Sequence, residues 1–351
     1  MATLGFREQV QQSVPLKLEP LSAEQIDRWD TLTAEFPRRS VFHRQAWFHC
    51  LVETQQAEWK YWAVTDHGRT VGYFSGGIIQ RGPFRILGSP LRTWRTNHIG
   101  PLLEEGVDKD AFVSALDELA REERLDMVEI EYPDMPHSAY EAASYVCHQT
   151  WTNQLALSSD TESLMRRATR GRRYGIRHAL RSGLEVIDYE NAAFLVHDQL
   201  SRTLESKGAV CPFPAEFPES IVRHLRPLGL VYTLGVRNPM GKIVAAGIFP
   251  YDNGTVYLWE CSSELRGRYH HPNDLLHWGL ICRAAEQGMG AYDMSGYGRF
   301  NHSFGTNLVA VHRWNKCYST SARAARSVYE SLLKFNRRNG LLRRLITPVV
   351  R

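Results

Sequence analysis

Glu260 stands in the middle of a strand-like run, LWECS, between Trp259 and Cys261. A carboxylate there is partly desolvated, which disfavours its charged form and lifts its pKa toward what a general base needs near neutrality. The other reading of this residue is a rim carboxylate paired with a neighbouring arginine. Tyr297 follows in the Gly296-Tyr297-Gly298 loop, where flanking glycines allow close backbone approach to a ligand. Its hydroxyl is the candidate proton donor to a leaving group; the alternative is a loop aromatic covering the core. Between these two residues lies the turn ELRGRYHHPN. Arg266 and Arg268 bring positive charge, and Gly267 a tight turn, just ahead of a helix that starts near Pro272. A helix N-terminus offers free N–H groups and the positive end of the dipole, so this turn reads as a site for a pyrophosphate-like anion, with His271 and Asn273 beside it. An ordinary loop is the competing reading.

A second candidate surface lies upstream. Residues 165–183 hold seven arginines and no acid. Arg170, Arg173 and Arg177 recur at i, i+3 and i+7 and so share one helix face with Tyr174 beside them, a stripe suited to a phosphorylated or nucleotide-linked molecule. The alternative is a solvated face. Downstream, Phe300, Asn301 and His302 in RFNHSFG are candidate substrate contacts. His270, His271 and His277 show no metal-type spacing and the six cysteines form no C-x-x-C pair, so no metal is expected.

The elements that must position these residues follow from periodicity and punctuation. Residues 22–36 and 43–54 read as amphipathic helices, the first with Ser22 as N-cap. A hairpin spans 59–80 about Asp66-His67-Gly68, with a short strand at 84–87, a Gly/Pro-punctuated crossing, a helix at 109–122, and strands at 127–132 and 151–157. An Arg-rich helix then runs from the N-cap Asp160 to Gly183. Strand 184–189, helices 192–207 and 216–225, and a second hairpin, 230–250, lead to strand 256–262. Helix 274–289, strand 291–295, the Gly/aromatic loop, strand 309–318 and a helix at 320–338 close the chain. YWAVTDHGRTVGYFSGGI and YTLGVRNPMGKIVAAGIF are matching hairpins about 170 residues apart, each after two helices. The economical reading is two copies of one α/β unit with a mixed sheet.

At this point a family resemblance enters. TRGRRYGIRHALRSGLEVI resembles the R-x-x-x-I-R-x-A-x-x-x-G pattern of the Fem-type peptidoglycan aminoacyltransferases and their broader acetyltransferase-like relatives, through Arg172, Ile176, Arg177, Ala179 and Gly183. NDLLHWGLICRAAEQGMGAYDMSGY, RFNHSFG and SPLRTWRTNHIGPLL are similar to further segments of that group, in the same order. The resemblance implies a tandem GNAT fold, with units at 1–158 and 159–320 and a basic C-terminal segment at 321–351. It also implies N-acyl transfer to an amine, a small molecule or a lipid-linked one, in cell-wall, polysaccharide or specialised-metabolite biosynthesis. Two departures bear on the donor. The family's Lys after the first Phe is Asn301 here, and residues 190–227 leave room for only two short helices in place of a long coiled-coil arm. Both favour acyl-CoA or an acyl carrier protein thioester over aminoacyl-tRNA. The alternatives are a Fem-like tRNA-dependent enzyme and an inactive GNAT-derived module that binds RNA or another anion.

Composition sets the remaining bounds. The chain has 351 residues, 43% hydrophobic and 23% charged, enough for one large or two ordinary cores. No apolar run reaches the roughly 20 residues of a membrane span, and no secretory signal is visible, so cytoplasmic residence is expected. The net charge of +4 conceals a local +7 over 321–351 (eight Arg/Lys against Glu330). That segment suggests peripheral contact with the inner, anionic face of a membrane, or a solvated basic helix. Hydrolase readings fail for want of G-x-S-x-G or H-E-x-x-H.

Overall fold

The computed structural model describes residues 16–132, 137–264 and 270–339, in the last helix without the side chains of 329, 330 and 332–339. Local chemistry builds the first half. Ser22 caps α1 (Ala23–Asp27) in a reciprocal capping box with Gln25; α2 (Trp29–Leu32) follows at once, so the single helix expected over 22–36 is two short ones. After β1 (Lys17–Pro20) and these turns come α3 (Gln45–Gln55), β2 (Glu58–Asp66) and β3 (Arg69–Arg81). His67 and Gly68 join the last two with φ of 50° and 78°, the paired positive values of a type I′ hairpin. β4 (Phe84–Ser89), β5 (Leu102–Leu103), α4 (Lys109–Glu122), β6 (Met127–Glu131), α5 (His137–Ala142) and β7 (Val146–Ala156) complete this half.

The second half repeats the plan. The Arg-rich segment is two helices, α6 (Thr161–Arg167) and α7 (Arg170–Arg181), rather than one, because Asp160 and Thr169 each cap a separate N-terminus. Then come β8 (Glu185–Asp188), α8 (Ala192–Glu205), α9 (Glu216–Leu225) and the hairpin β9 (Val231–Arg237) and β10 (Ile243–Asp252). The expected strand around Glu260 is broken into β11 (Thr255–Tyr257) and β12 (Glu260–Ser263). They are followed by α10 (Pro272–Glu286), β13 (Ala291–Asp293), the helical turn α11 (Arg299–His302) inside the expected loop, β14 (Asn307–Cys317) and α12 (Thr320–Asn339).

The strands form one mixed sheet in the order β1-β2-β3-β4-β6-β14-β7-β13-β11-β10-β9-β8, with β5 on β3 and β12 on β10. Its centre is an exchange. β14, late in the chain, lies antiparallel to β6 of the first half, while β7 lies antiparallel to β13 of the second. β7 and β14 pair with each other from Asn307↔Gln154 to Asn315↔Val146. On either side of this pair sits a parallel couple, β4 with β6 and β11 with β13, so the arrangement is pseudo-symmetric.

One face of the sheet carries a single core that crosses between halves. Trp47, Phe48 and Leu51 of α3 belong to the same buried cluster as Phe217, Ile221 and Leu225 of α9. Burying each such Leu, Ile or Phe contributes about 1.5–3 kcal/mol. Polar contacts fix the docking: Arg44 forks onto Asp252 at 2.8 and 3.1 Å, and Glu53 accepts from Ser220 at 2.7 Å. None of the six cysteines forms a disulfide, and only Cys50 is fully buried, the others lying part-way to the surface.

Two histidines are sealed inside. His43 accepts the Ser40 N–H at 3.1 Å, and His277 shares a 2.8 Å hydrogen bond with the Tyr292 hydroxyl. Burial pulls both pKa values down to about 3, so both rings are neutral. Unfolding frees imidazoles that bind protons below about pH 6.5, so this contribution is fully present above that pH and fades as pH falls toward 3. The stability lost in His277→Asn is therefore expected to be about 2–3 kcal/mol smaller at pH 4.5 than at pH 7, read from urea unfolding. An equal loss at both pH values would show that this ring is not held neutral.

Candidate active site

The parallel couple β11 and β13 runs together for three residues and then parts. The Leu258 N–H still reaches the Asp293 carbonyl at 2.8 Å, but Trp259 turns to Ile248 of β10 and Met294 to Asn153 of β7. Trp259 bonds to Ile248 and Glu260 lies opposite that same residue, so the break between β11 and β12 is a bulge where the strands part. Glu260 therefore stands where the strands diverge. Its carboxylate is paired with the Arg95 guanidinium from the first half, and its Oε1 accepts the Cys261 N–H at 3.1 Å. Both alternatives for this residue thus coexist, a mostly buried carboxylate and an arginine partner. Burial raises the Glu260 pKa, while Arg95 and the Cys261 N–H oppose the rise. Arg95 itself lies 5.0 Å from the Phe213 ring centre and 6.0 Å from that of Trp259, an aromatic seat for its charge.

Beyond the point of divergence, the loop after β13 is held by amides. Asn301 donates to the carbonyls of Met294 and Ser295 at 2.9 and 3.0 Å, so the residue in the place of a lysine fastens the loop. Asn153 of β7, fully buried, donates to the Gly296 carbonyl at 2.7 Å and accepts from Thr306 at 2.8 Å. Ser295 and Gly296 take φ of 49° and 66°, which turns the chain sharply and leaves Tyr297 72% exposed. Phe300 is half-buried, packed 5.2 Å from the His277 ring, and His302 is exposed.

Arginine placement differs most from the sequence reading. Arg170 and Arg177 are exposed, while Arg173 folds back to donate to the carbonyls of Arg166 and Ala168, capping α6 rather than facing a groove. Tyr174 is exposed and stacks on His178 at 5.7 Å. The arginine that goes inside is Arg172. It is ion-paired with Asp274, donates to Ser303 Oγ at 2.9 Å and to the Phe300 carbonyl at 3.2 Å, and sits 3.9 Å over the Phe300 ring. Gly175 completes the seat, since a Cβ there would lie 2.0 Å from Asp274 Oδ2. A sequence signal for Arg172 existed: it precedes the buried Gly175, Ile176 and Ala179 by three, four and seven residues, which puts it on the inward face of α7. Asp274 and Asn153 carried no such signal.

Of the expected anion site, Arg266, Gly267 and Arg268 lie outside the described residues. His271 adopts φ of 58° at the start of α10, with Nδ1 3.4 Å from Asp274 Oδ2, and the Asn273 side-chain oxygen is buried with no hydrogen-bond partner among the described residues. The Asp274 carboxyl is pushed up by burial against the pull of Arg172 and His271. Among the described residues, no three His, Cys, Asp or Glu side chains converge as metal ligands.

Comparison with known proteins agrees with this architecture. Residues 163–302 match the acetyltransferase (GNAT) domain family. FemX superposes with a TM-score of 0.66 at 13% identity, over 84% of this chain and 96% of FemX. A tandem GNAT protein from the clavulanic acid biosynthesis pathway gives 0.53 at 14% identity, over 87% and 99%. The C-terminal domain of a candidate lysylphosphatidylglycerol synthetase from Agrobacterium fabrum gives 0.55 at 12%, over 88% and 96%. No curated protein sequence matches. The chain thus has a tandem GNAT-like fold, and the match to the acetyltransferase (GNAT) domain family lies in its second half.

Because Arg172 and Asp274 are both nearly buried, removing one strands the other. Arg172→Leu is expected to lose about 3–5 kcal/mol of stability, and Arg172→Met with Asp274→Leu to recover most of it, measured by chemical unfolding. A double variant no more stable than the single one would show that the pair is held for more than its own charge balance.

Proposed function

We propose that this chain is an N-acyltransferase that moves an acyl group from a thioester donor, acyl-CoA or acyl carrier protein, to an amine. The observation that carries the reading is Glu260, a largely desolvated carboxylate at the mouth of the diverging strands of the GNAT domain. The amine nitrogen attacks the thioester carbonyl, and Glu260 takes the proton it sheds, directly or through a water. The Cys261 N–H donates to Glu260 instead of to β10. When that carboxylate takes a proton, the N–H is free to face the oxyanion of the tetrahedral intermediate. The C–S bond then breaks, and the departing thiolate takes a proton from Tyr297.

Two features favour a thioester over aminoacyl-tRNA as donor. Asn301 brings no positive charge to the loop, and two short helices, α8 and α9, with a 3₁₀ turn (Arg226–Leu228), stand between β8 and β9. The acceptor is a small or lipid-linked amine of the cell envelope or of specialised metabolism. Among the described residues no helix is long and apolar enough to cross a membrane, so contact with a lipid-linked acceptor would be made from the surface, by the basic segment 321–351.

Acyl-CoA consumption with a panel of amines tests the reading. Glu260→Gln is expected to lower kcat by about 10²–10⁴-fold with little change in donor KM. The acid limb of the pH–rate profile should lie above the ordinary carboxylate range, and Arg95→Gln should move it higher, because Arg95 is what lowers the pKa of Glu260. A limb unmoved by Arg95→Gln would assign the base elsewhere. For the leaving group, Tyr297→Phe should slow thiol release; an unchanged rate would return Tyr297 to a surface role.

A further inference from the structure

Seven arginines and no acid lie between Glu162 and Glu185, and the fold sorts them by partner. Arg172 is held by Asp274, and Arg166 lies 3.6 Å from both Asp160 and Glu162. Arg167 and Arg173 donate to backbone carbonyls. Arg170, Arg177 and Arg181 are exposed, and their guanidinium groups have no hydrogen-bond or ion-pair partner among the described residues. With Tyr174 they recur at i, i+4, i+7 and i+11 along α7, so they form one stripe. Gly175, Ile176 and Ala179 pack inward on the other side of the helix.

The stripe is bordered by apolar side chains that the core does not take up. Tyr174 is 55% exposed, Leu180 on the flank of the stripe 53%, and Met240 86%. Met240 belongs to the turn between β9 and β10, and that turn abuts the end of α7. A Cβ on Gly183 would lie 2.8 Å from Cγ of Pro239. The charges beside the turn are already paired, Arg237 with Glu185 and Lys242 with Glu264, so it adds apolar surface and no net charge. Unpaired guanidinium groups call for anions. A phosphate backbone alone would leave Leu180 and Met240 in water, whereas an anionic bilayer takes up both kinds of group. Headgroup phosphates meet the arginines, Leu180 and Met240 enter the acyl boundary, and Tyr174 sits at headgroup depth. The long arginine stems can lie along apolar surface while their heads reach the phosphates.

We infer that the exposed face of α7, together with the β9–β10 turn, rests on the surface of an anionic lipid bilayer. This is independent of the acyltransferase reading, and it concerns a different part of the chain from segment 321–351. Flotation of the full chain with vesicles of phosphatidylcholine, with and without phosphatidylglycerol, tests it. Wild type is expected to float only with the anionic vesicles, and less as salt rises. Replacing all three arginines (Arg170→Gln, Arg177→Gln, Arg181→Gln) is expected to weaken binding about a hundredfold, about fivefold for each. Met240→Ser is expected to weaken it about tenfold. Arg121→Gln with Arg124→Gln and Lys207→Gln removes the same charge from other exposed positions and should leave binding nearly unchanged. The three α7 arginines hold no partner, so the triple variant is expected to fold, which circular dichroism checks; should it misfold, the single variants carry the same test. A folded variant that binds as wild type does, or a wild type indifferent to phosphatidylglycerol, overturns the inference. Indifference to Met240→Ser overturns the share given to the turn. Binding of single-stranded RNA that the triple variant loses, with vesicles left unbound, overturns the lipid assignment and puts a nucleic acid on this face. The readout is binding and not turnover, so none of these outcomes bears on the acyltransferase reading.

Discussion

The antiparallel pairing of β7 with β14 is the constraint on which the other features rest. Each strand is covalently part of one half and hydrogen-bonded into the sheet of the other, so neither half can complete its sheet alone. A strand left without its neighbour would expose a row of unpaired N–H and C=O groups, and the exchange removes that edge from both halves at once. Side chains on the pair then do local work. Asn153 fastens the loop that carries Tyr297, Thr152 bonds the buried Asp293, and Arg313 pairs with Glu129 and Glu131 of β6.

Two ion pairs illustrate what burial does to charge. Arg172 and Asp274 sit in the second half with little water access and further hydrogen bonds to Arg172, so the pair fixes α7 against α10 and the 300–304 turn. Glu260 and Arg95 retain more exposure and belong to different halves. Their separation or approach changes the basicity of Glu260, since burial raises its pKa and the arginine lowers it. The packing of the halves therefore sets the protonation of the proposed base. The first pair is architecture and the second is a chemical adjustment, although each is one arginine on one carboxylate.

The legible part of the structure was local. Both hairpins, the Ser22, Asp160 and Thr320 helix starts, and the 216–225 helix follow from turn residues, caps and periodicity, all of which act within a few residues. Glu260 was legible as a strand carboxylate, whereas the sequence reading put Arg170, Arg173 and Arg177 on the working face and took Arg172 only as part of a family pattern. Where the reading failed, a neighbour in sequence was outvoted by a neighbour in space. The run 160–183 reads as one helix until Thr169 caps a second, with its N–H on the Ser303 carbonyl. The strand at Glu260 reads as continuous until β13 departs and leaves a bulge.

What the amino-acid order determined alone is the inventory: two α/β units with matching hairpins, an Arg-rich helical segment and a carboxylate on a strand. Which arginine meets which acid was decided only by the tertiary fold. Arg172 finds Asp274 across 102 residues and Arg95 finds Glu260 across 165. Ion pairing and desolvation act over a few ångströms, and such distances between remote residues exist only once the sheet has closed around β7 and β14.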